Sequence, residues 1–145
     1  MKSRRVVVTG IGALTPIGNN LQDYWEGLIK GVSGAAPITH FNAEEFKTRF
    51  ACEVKNFEVT DFINRKEARK MDQFCQYAMV AADQAFSDSG LIVDEIDSDR
   101  AGVVWGSGIG GMSTFYNESK NFLTGNGTPR FNPFFIPKLI SDIPA

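Results

Sequence analysis

Apolar positions along this chain follow two rhythms. Arg5 to Thr9 is a continuous β-branched run closed by Gly10, and it reads as a buried strand. Ala101 to Trp105 reads as a second one. Elsewhere the period is helical. Asn20 is placed to cap a helix in which Leu21, Tyr24, Trp25, Leu28 and Ile29 share a face, with Gly31 at the stop position. The strongest helical pattern runs from Lys70 to Ser87 through Met71, Phe74, Cys75, Ala78, Met79, Ala82, Ala85 and Phe86. Many of these are small, so another element can approach closely. Asp88-Ser89-Gly90 ends that helix. Met112 to Thr124 predicts another helix, ended by Gly125, and Lys138 to Ile143 starts a further one. Between these lie loops over 32–59 with a short strand near Arg49 to Glu53, an acidic connection from Leu91 to Asp99, and a loop from Gly127 to Pro137. Strand, helix, helix, strand, helix predicts an α/β fold with a parallel central sheet.

Composition narrows the class without naming a function. A chain of 145 residues suits one domain or part of a larger one, and no linker or repeat divides it. The 43% hydrophobic and 22% charged content is that of an ordinary soluble protein with a core. A net charge of −2 gives no global attraction to nucleic acid or to an anionic membrane. The apolar runs are too short to span a bilayer, and the basic start at Met1 to Arg5 leads into Thr9-Gly10 rather than a longer apolar stretch. The expected compartment is the cytoplasm. Two cysteines and one histidine predict neither a disulfide framework nor a metal site.

Five features carry candidate chemistry. Gly10-Ile11-Gly12 follows a strand, as a dinucleotide fingerprint would, but Thr15 stands where a third glycine belongs, so a tight strand-exit turn is favoured. Gly106-Ser107-Gly108-Ile109-Gly110-Gly111 is not a phosphate loop, because no Gly-Lys-Ser/Thr follows. It is either a close crossing of backbones or a turn bordering an active site, with Ile109 its one bulky side chain. Asn132-Pro133-Phe134-Phe135-Ile136-Pro137 is a stiff apolar loop with no obvious partner in its own chain. Arg65, Lys66, Arg69 and Lys70 cluster positive charge, which composition alone assigns to a solvated face softened by Glu67 and Asp72. Cys75 sits on an apolar helix face and reads as core; Cys52 and His40 have no partner nearby in sequence.

These motifs, in this order, resemble the β-ketoacyl-acyl-carrier-protein synthases. Arg4 to Gly12, Pro16-Ile17-Gly18-Asn19, Asp88-Ser89-Gly90-Leu91, Gly106 to Gly111 and Pro133 to Pro137 all match, and the type II enzyme of bacterial fatty-acid synthesis fits best. The resemblance covers residues 1–145 but only the N-terminal part of an N-terminal synthase domain. It implies an α/β, thiolase-like layered fold, of which this chain is the first part of the first α-β-α half, and a homodimer. It implies acyl transfer by decarboxylative Claisen condensation between an acyl-enzyme and malonyl-carrier protein, with no cofactor and no metal. The partners it implies are acyl carrier protein and malonyl- and acyl-thioesters, not nucleic acid or membrane.

By the same resemblance the catalytic cysteine and two histidines fall outside this segment, so no catalytic residue is expected in it and the segment alone should be inactive. Ile109 matches the acyl-pocket residue, Phe134 and Phe135 the loop lining the dimer seam beside the partner's pocket, and Lys66, Arg69 and Lys70 the patch that receives the carrier protein. Pro144 departs from the family, where a helix continues. Two rivals remain: a polyketide-type synthase or non-catalytic chain-length factor of the same superfamily, and a stand-alone carrier-binding module.

Overall fold

The computed structural model describes residues 4–125 and 128–145; Met1 to Ser3, Asn126 and Gly127, the first residue of the expected loop, lie outside them. The chain divides into two compact units, one of Met1–Phe57 with Ala81–Ile92, the other of Glu58–Val80 with Val93–Ala145. Of the three points at which the chain passes between them, the one at Val80 and Ala81 falls inside a helix.

In the first unit, α1 (Leu21–Ile29) begins where the Asn20 side chain accepts the Asp23 N–H at 2.9 Å. It ends at Gly31, whose φ of +64° suits glycine. Its apolar stripe is present, but Trp25, Leu28 and Ile29 are exposed. The one sheet among the described residues is an antiparallel pair, β1 (Ala36–Pro37) with β2 (Phe50–Ala51), in the register Ala36↔Ala51 and Pro37↔Phe50. β2 lies within the short strand expected near Arg49 to Glu53.

The two expected buried strands are not strands here, and the parallel sheet they would form is absent among the described residues. Residues 5–9 and 101–105 carry no strand pairing, and Val6 and Val104 are 93% and 99% exposed. A strand exists through its ladder, and neither segment has one among the described residues. The backbone just after the first segment finds side-chain partners instead. Asp88 accepts the Ile11 N–H at 2.9 Å, and Gln84 accepts that of Ala13 at 3.0 Å while donating to the Asn19 carbonyl at 2.8 Å.

This corrects the expectation of a tight turn at Gly10-Ile11-Gly12. Neither glycine has a positive φ. A Cβ on Gly10 would lie 2.1 Å from the Ala85 carbonyl oxygen, and one on Gly12 1.9 Å from that of Ala81. The glycines let backbone pass directly over helix backbone, and the small Ala81 and Ala85 permit it from the other side.

The long helix, α3 (Gln73–Ser89), starts later than expected. Arg65–Ala68 forms a separate helix, α2, capped by Asn64, whose side chain accepts the Glu67 N–H at 3.0 Å. Asp72 then restarts the helix, its carbonyl accepting the N–H groups of Cys75 and Gln76 at 3.1 Å each. Cys75, Ala78 and Val80 are the buried residues of α3, and Gly90 at φ +67° closes it.

The rest of the second unit is α4 (Met112–Thr124), as expected, and α5 (Phe135–Leu139), which lies earlier in the chain than the helix expected from Lys138. Pro137 fits there because it occupies the first turn, where no backbone N–H has a helical partner. Residues after Leu139 form turns, so Pro144 interrupts no helix. α4 packs on α5.

Candidate functional site

The glycine run resolves into two jobs. Gly106 and Gly108 face open space. Gly110, at φ +85°, donates its N–H to Ser107 Oγ at 3.2 Å, and a Cβ there would lie 2.3 Å from the Leu139 carbonyl oxygen. A Cβ on Gly111 would lie 1.9 Å from that of Lys138. Gly110-Gly111 is thus a backbone crossing over the end of α5. The preceding residue is the side chain the crossing delivers. Ile109, with Gly111, Met112, Phe115 and Leu139, lines an open apolar cleft of about 250 Å³. No titratable group lines it. Such a surface can hold and measure an alkyl chain; it cannot move a proton.

The other face of the α5 end is cationic. Arg65, Arg69 and Lys138, with Thr60, Met71 and Gln76, line a groove of about 350 Å³. Lys66 is exposed on α2 beside it. Lys70 differs from its neighbours: its Nζ lies 2.8 Å from both carboxylate oxygens of Glu67. Among the described residues no ion pair engages Arg65, Lys66, Arg69 or Lys138. Of the three sequence-predicted docking residues, Lys66 and Arg69 present unpaired charge and Lys70 does not. Lys138 joins the cluster unannounced, since only the α5 fold brings it there.

The proline-flanked loop is partly covered by its own chain, which corrects the expectation that it has no partner. Phe135 stacks on Phe131 with ring centroids 5.5 Å apart, and Phe131 meets Phe122 of α4 at 5.5 Å. Phe134 and Ile136 remain exposed. Neither Phe134 nor Phe135 lines the Ile109 cleft.

Cys75 is 2% exposed, as a core residue should be. Burial first, and the Asp72 charge second, push its thiol above the ordinary range, which suppresses the thiolate a nucleophile needs. Cys52 is exposed and unpaired in any disulfide. His40 does have a partner: its Nε2 lies 3.8 Å from Glu53 Oε1. The Thr39 hydroxyl, donating to Glu53 at 2.7 Å, is the main cause holding that carboxyl below its usual range. Among the described residues no group of His, Cys, Asp and Glu is arranged to hold a metal, and no helix is long and apolar enough to cross a membrane.

The apolar cleft at Ile109 and the cationic groove at Arg65 and Arg69 each take one residue from the end of α5, Leu139 and Lys138 respectively. The sequence matches the family described as beta-ketoacyl synthase, N-terminal domain, over residues 3–145, and the chain belongs to that family. It is 46% identical over 143 residues to 3-oxoacyl-[acyl-carrier-protein] synthase 2 of Synechocystis sp., covering 99% of this chain and 34% of that protein. Its fold is that of the thiolase-like ketosynthases. The ishigamide ketosynthase/chain length factor superposes with a TM-score of 0.83 at 34% identity, over 94% of this chain and 34% of that one. A chain of the AntDE:AntF assembly, a type II PKS acyl-carrier protein in complex with its ketosynthase bound to the hexaketide, does so at 0.74 and 28%, over 95% of this chain and 35% of that one. This chain spans about one third of the length of each.

Proposed function

We propose that this chain is the N-terminal part of a 3-oxoacyl-[acyl-carrier-protein] synthase of fatty-acid elongation, an acyltransferase working as a homodimer in the cytoplasm. The carrying observation is the Gly106 to Gly111 turn, which sets Ile109 in an apolar cleft within a chain 46% identical to such a synthase.

In the reaction, a cysteine thiolate takes the acyl group from its carrier thioester and releases the carrier thiol. Malonyl-carrier protein then loses CO₂. The electron pair left on its α-carbon attacks the enzyme thioester, forming the new carbon–carbon bond and expelling the cysteine thiolate. No residue of this chain is assigned to those steps, and the buried Cys75 is unsuited to them. This chain's part is to bind and orient. Met112, Phe115 and Leu139 form a wall for the acyl chain, with Ile109 at its edge. Lys66 and Arg69, extended by Arg65 and Lys138, attract the acidic carrier protein, where complementary charge speeds encounter. Exposed Phe134 and Ile136 face the second subunit. The unpaired segments at 5–9 and 101–105 take their sheet partners from the remainder of the protein, in one N-terminal domain that includes residues 1–145.

Ile109→Phe in the full-length protein tests the cleft. Overfilling a fitted site costs about 1–3 kcal/mol. Condensation of long acyl chains should therefore fall roughly tenfold more than that of short ones. An unchanged chain-length profile removes Ile109 from the acyl site.

The likeness to a ketosynthase/chain length factor supports a second reading, a polyketide-type subunit. Intact mass after exposure to an acyl thioester separates a synthase from a chain-length factor: the synthase gains one acyl group and the factor gains none.

A further inference from the structure

Asp72 is the one acidic side chain buried among the described residues, 8% exposed, and no cation pairs with it there. Its Oδ2 accepts the Thr114 backbone N–H at 3.3 Å and also the Thr114 hydroxyl. Its carbonyl meanwhile accepts two N–H groups of α3. One residue therefore closes the start of two helices, α3 through its backbone and α4 through its side chain. α4 has need of it. Its cap residue is Gly111, which offers no side-chain acceptor to the first turn; the Met112 N–H finds the Gly110 carbonyl at 2.9 Å and the Thr114 N–H finds Asp72. The carboxylate charge also sits at the positive end of the α4 dipole, which offsets the cost of burying it.

The same Oδ2 stands 3.2 Å from the point where a Cβ on Gly111 would project. It thus abuts the residue that crosses α5, opens α4 and follows the Ile109–Gly110 pair. We propose that the Asp72–Thr114 contact is a clamp that fixes the Gly110-Gly111 crossing and so sets how far Ile109 reaches into the cleft. Asp72 and Thr114 are then positioning residues for selection of apolar chain length, an inference that rests on the cleft being an acyl site. Ser107 restrains the Gly110 N–H, and Gly106 and Gly108 have open space where a side chain would project. The Gly111 N–H reaches the Leu139 carbonyl at 3.4 Å, and the Asp72–Thr114 contact one helical turn away adds the side-chain restraint.

Thr114→Val keeps bulk and the backbone donor but removes the hydroxyl; Thr114→Ser keeps the hydroxyl. Two readouts on the full-length protein need no condensation. The first is equilibrium dialysis against six- and twelve-carbon N-acetylcysteamine thioesters. The second is hydrogen exchange of the amides from Ser107 to Ser113.

A hydrogen bond to a charged group is strong enough that its loss should cut the twelve-over-six binding preference about fivefold. Exchange in the turn should rise about tenfold in the valine variant as local opening becomes easier. The serine variant should stay within about twofold of wild type on both. An unchanged preference in Thr114→Val overturns the proposal, even if its melting temperature falls. So does a serine variant that behaves like valine, or a wild-type protein that binds neither thioester. A full-length protein that releases no CO₂ from malonyl-carrier protein, while the preference still shifts, contradicts the condensing function alone.

Discussion

Gly12→Ala is expected to destabilise the protein by about 3 kcal/mol, near the top of the range for forced overpacking. The added methyl would sit 1.9 Å from the Ala81 carbonyl oxygen and 2.9 Å from both the Ala81 carbonyl carbon and the Ala85 nitrogen. All of these are helix backbone, so no side-chain rotation relieves the clash. Separating the segments would also stretch the Ala13–Gln84 and Ile11–Asp88 hydrogen bonds that tie it to α3. A lowering of the melting temperature by about 10 °C is the corresponding thermal signal. Gly108→Ala is the control, because nothing lies within 4 Å of its Cβ position and its φ is not positive. It should change stability by under about 0.5 kcal/mol. Equal effects from the two variants would refute the close crossing.

Reversing charge at Lys66 and Arg69 together should weaken carrier-protein binding by the full-length protein about a hundredfold, with a matching rise in KM for carrier-bound substrates. Substrates on a small thiol should be spared, since they bring no acidic protein to dock. The salt dependence of binding should shrink along with the affinity. Lys70→Ala should cost under about threefold, because Glu67 already occupies that charge. Lys138→Ala should cost more than Lys70→Ala, because Lys138 lines the groove without an ion partner among the described residues. Equal loss on carrier-bound and small-thiol substrates would remove the docking role.

What was legible in the sequence was local. Asn20, Gly31, Gly90 and Gly125 mark helix ends where the structure has them, and the Met112 to Thr124 period was read to the residue. Cap and stop signals depend on a few neighbouring positions, and those are all present. The segments 5–9 and 101–105 have strand composition without strand pairing here, because β-branched composition describes a residue fit for a sheet, not the presence of its ladder partner. α5 was placed late because Pro137 reads as a loop residue unless it is known to fall in a first turn. At the site, Ile109 and the Arg65 to Lys70 cations stand out in the sequence itself, and the roles proposed for them come from the resemblance. Lys138, the Glu67–Lys70 pair and the Asp72–Thr114 contact do not stand out, since each depends on elements meeting in space. The Gly111 cap offered a faint clue: a helix that opens on glycine leaves N–H groups for some other residue to satisfy.

The central claim is that this chain supplies the acyl wall and the carrier-docking face of an enzyme whose bond-making groups lie elsewhere in the protein. The direct measurement is CO₂ released by the full-length protein given acyl- and malonyl-carrier protein together, with the 3-oxoacyl product counted beside it. The account predicts equal amounts of gas and elongated product, both lost when Lys66 and Arg69 are reversed at limiting carrier. No gas, or gas without a longer chain, would contradict it.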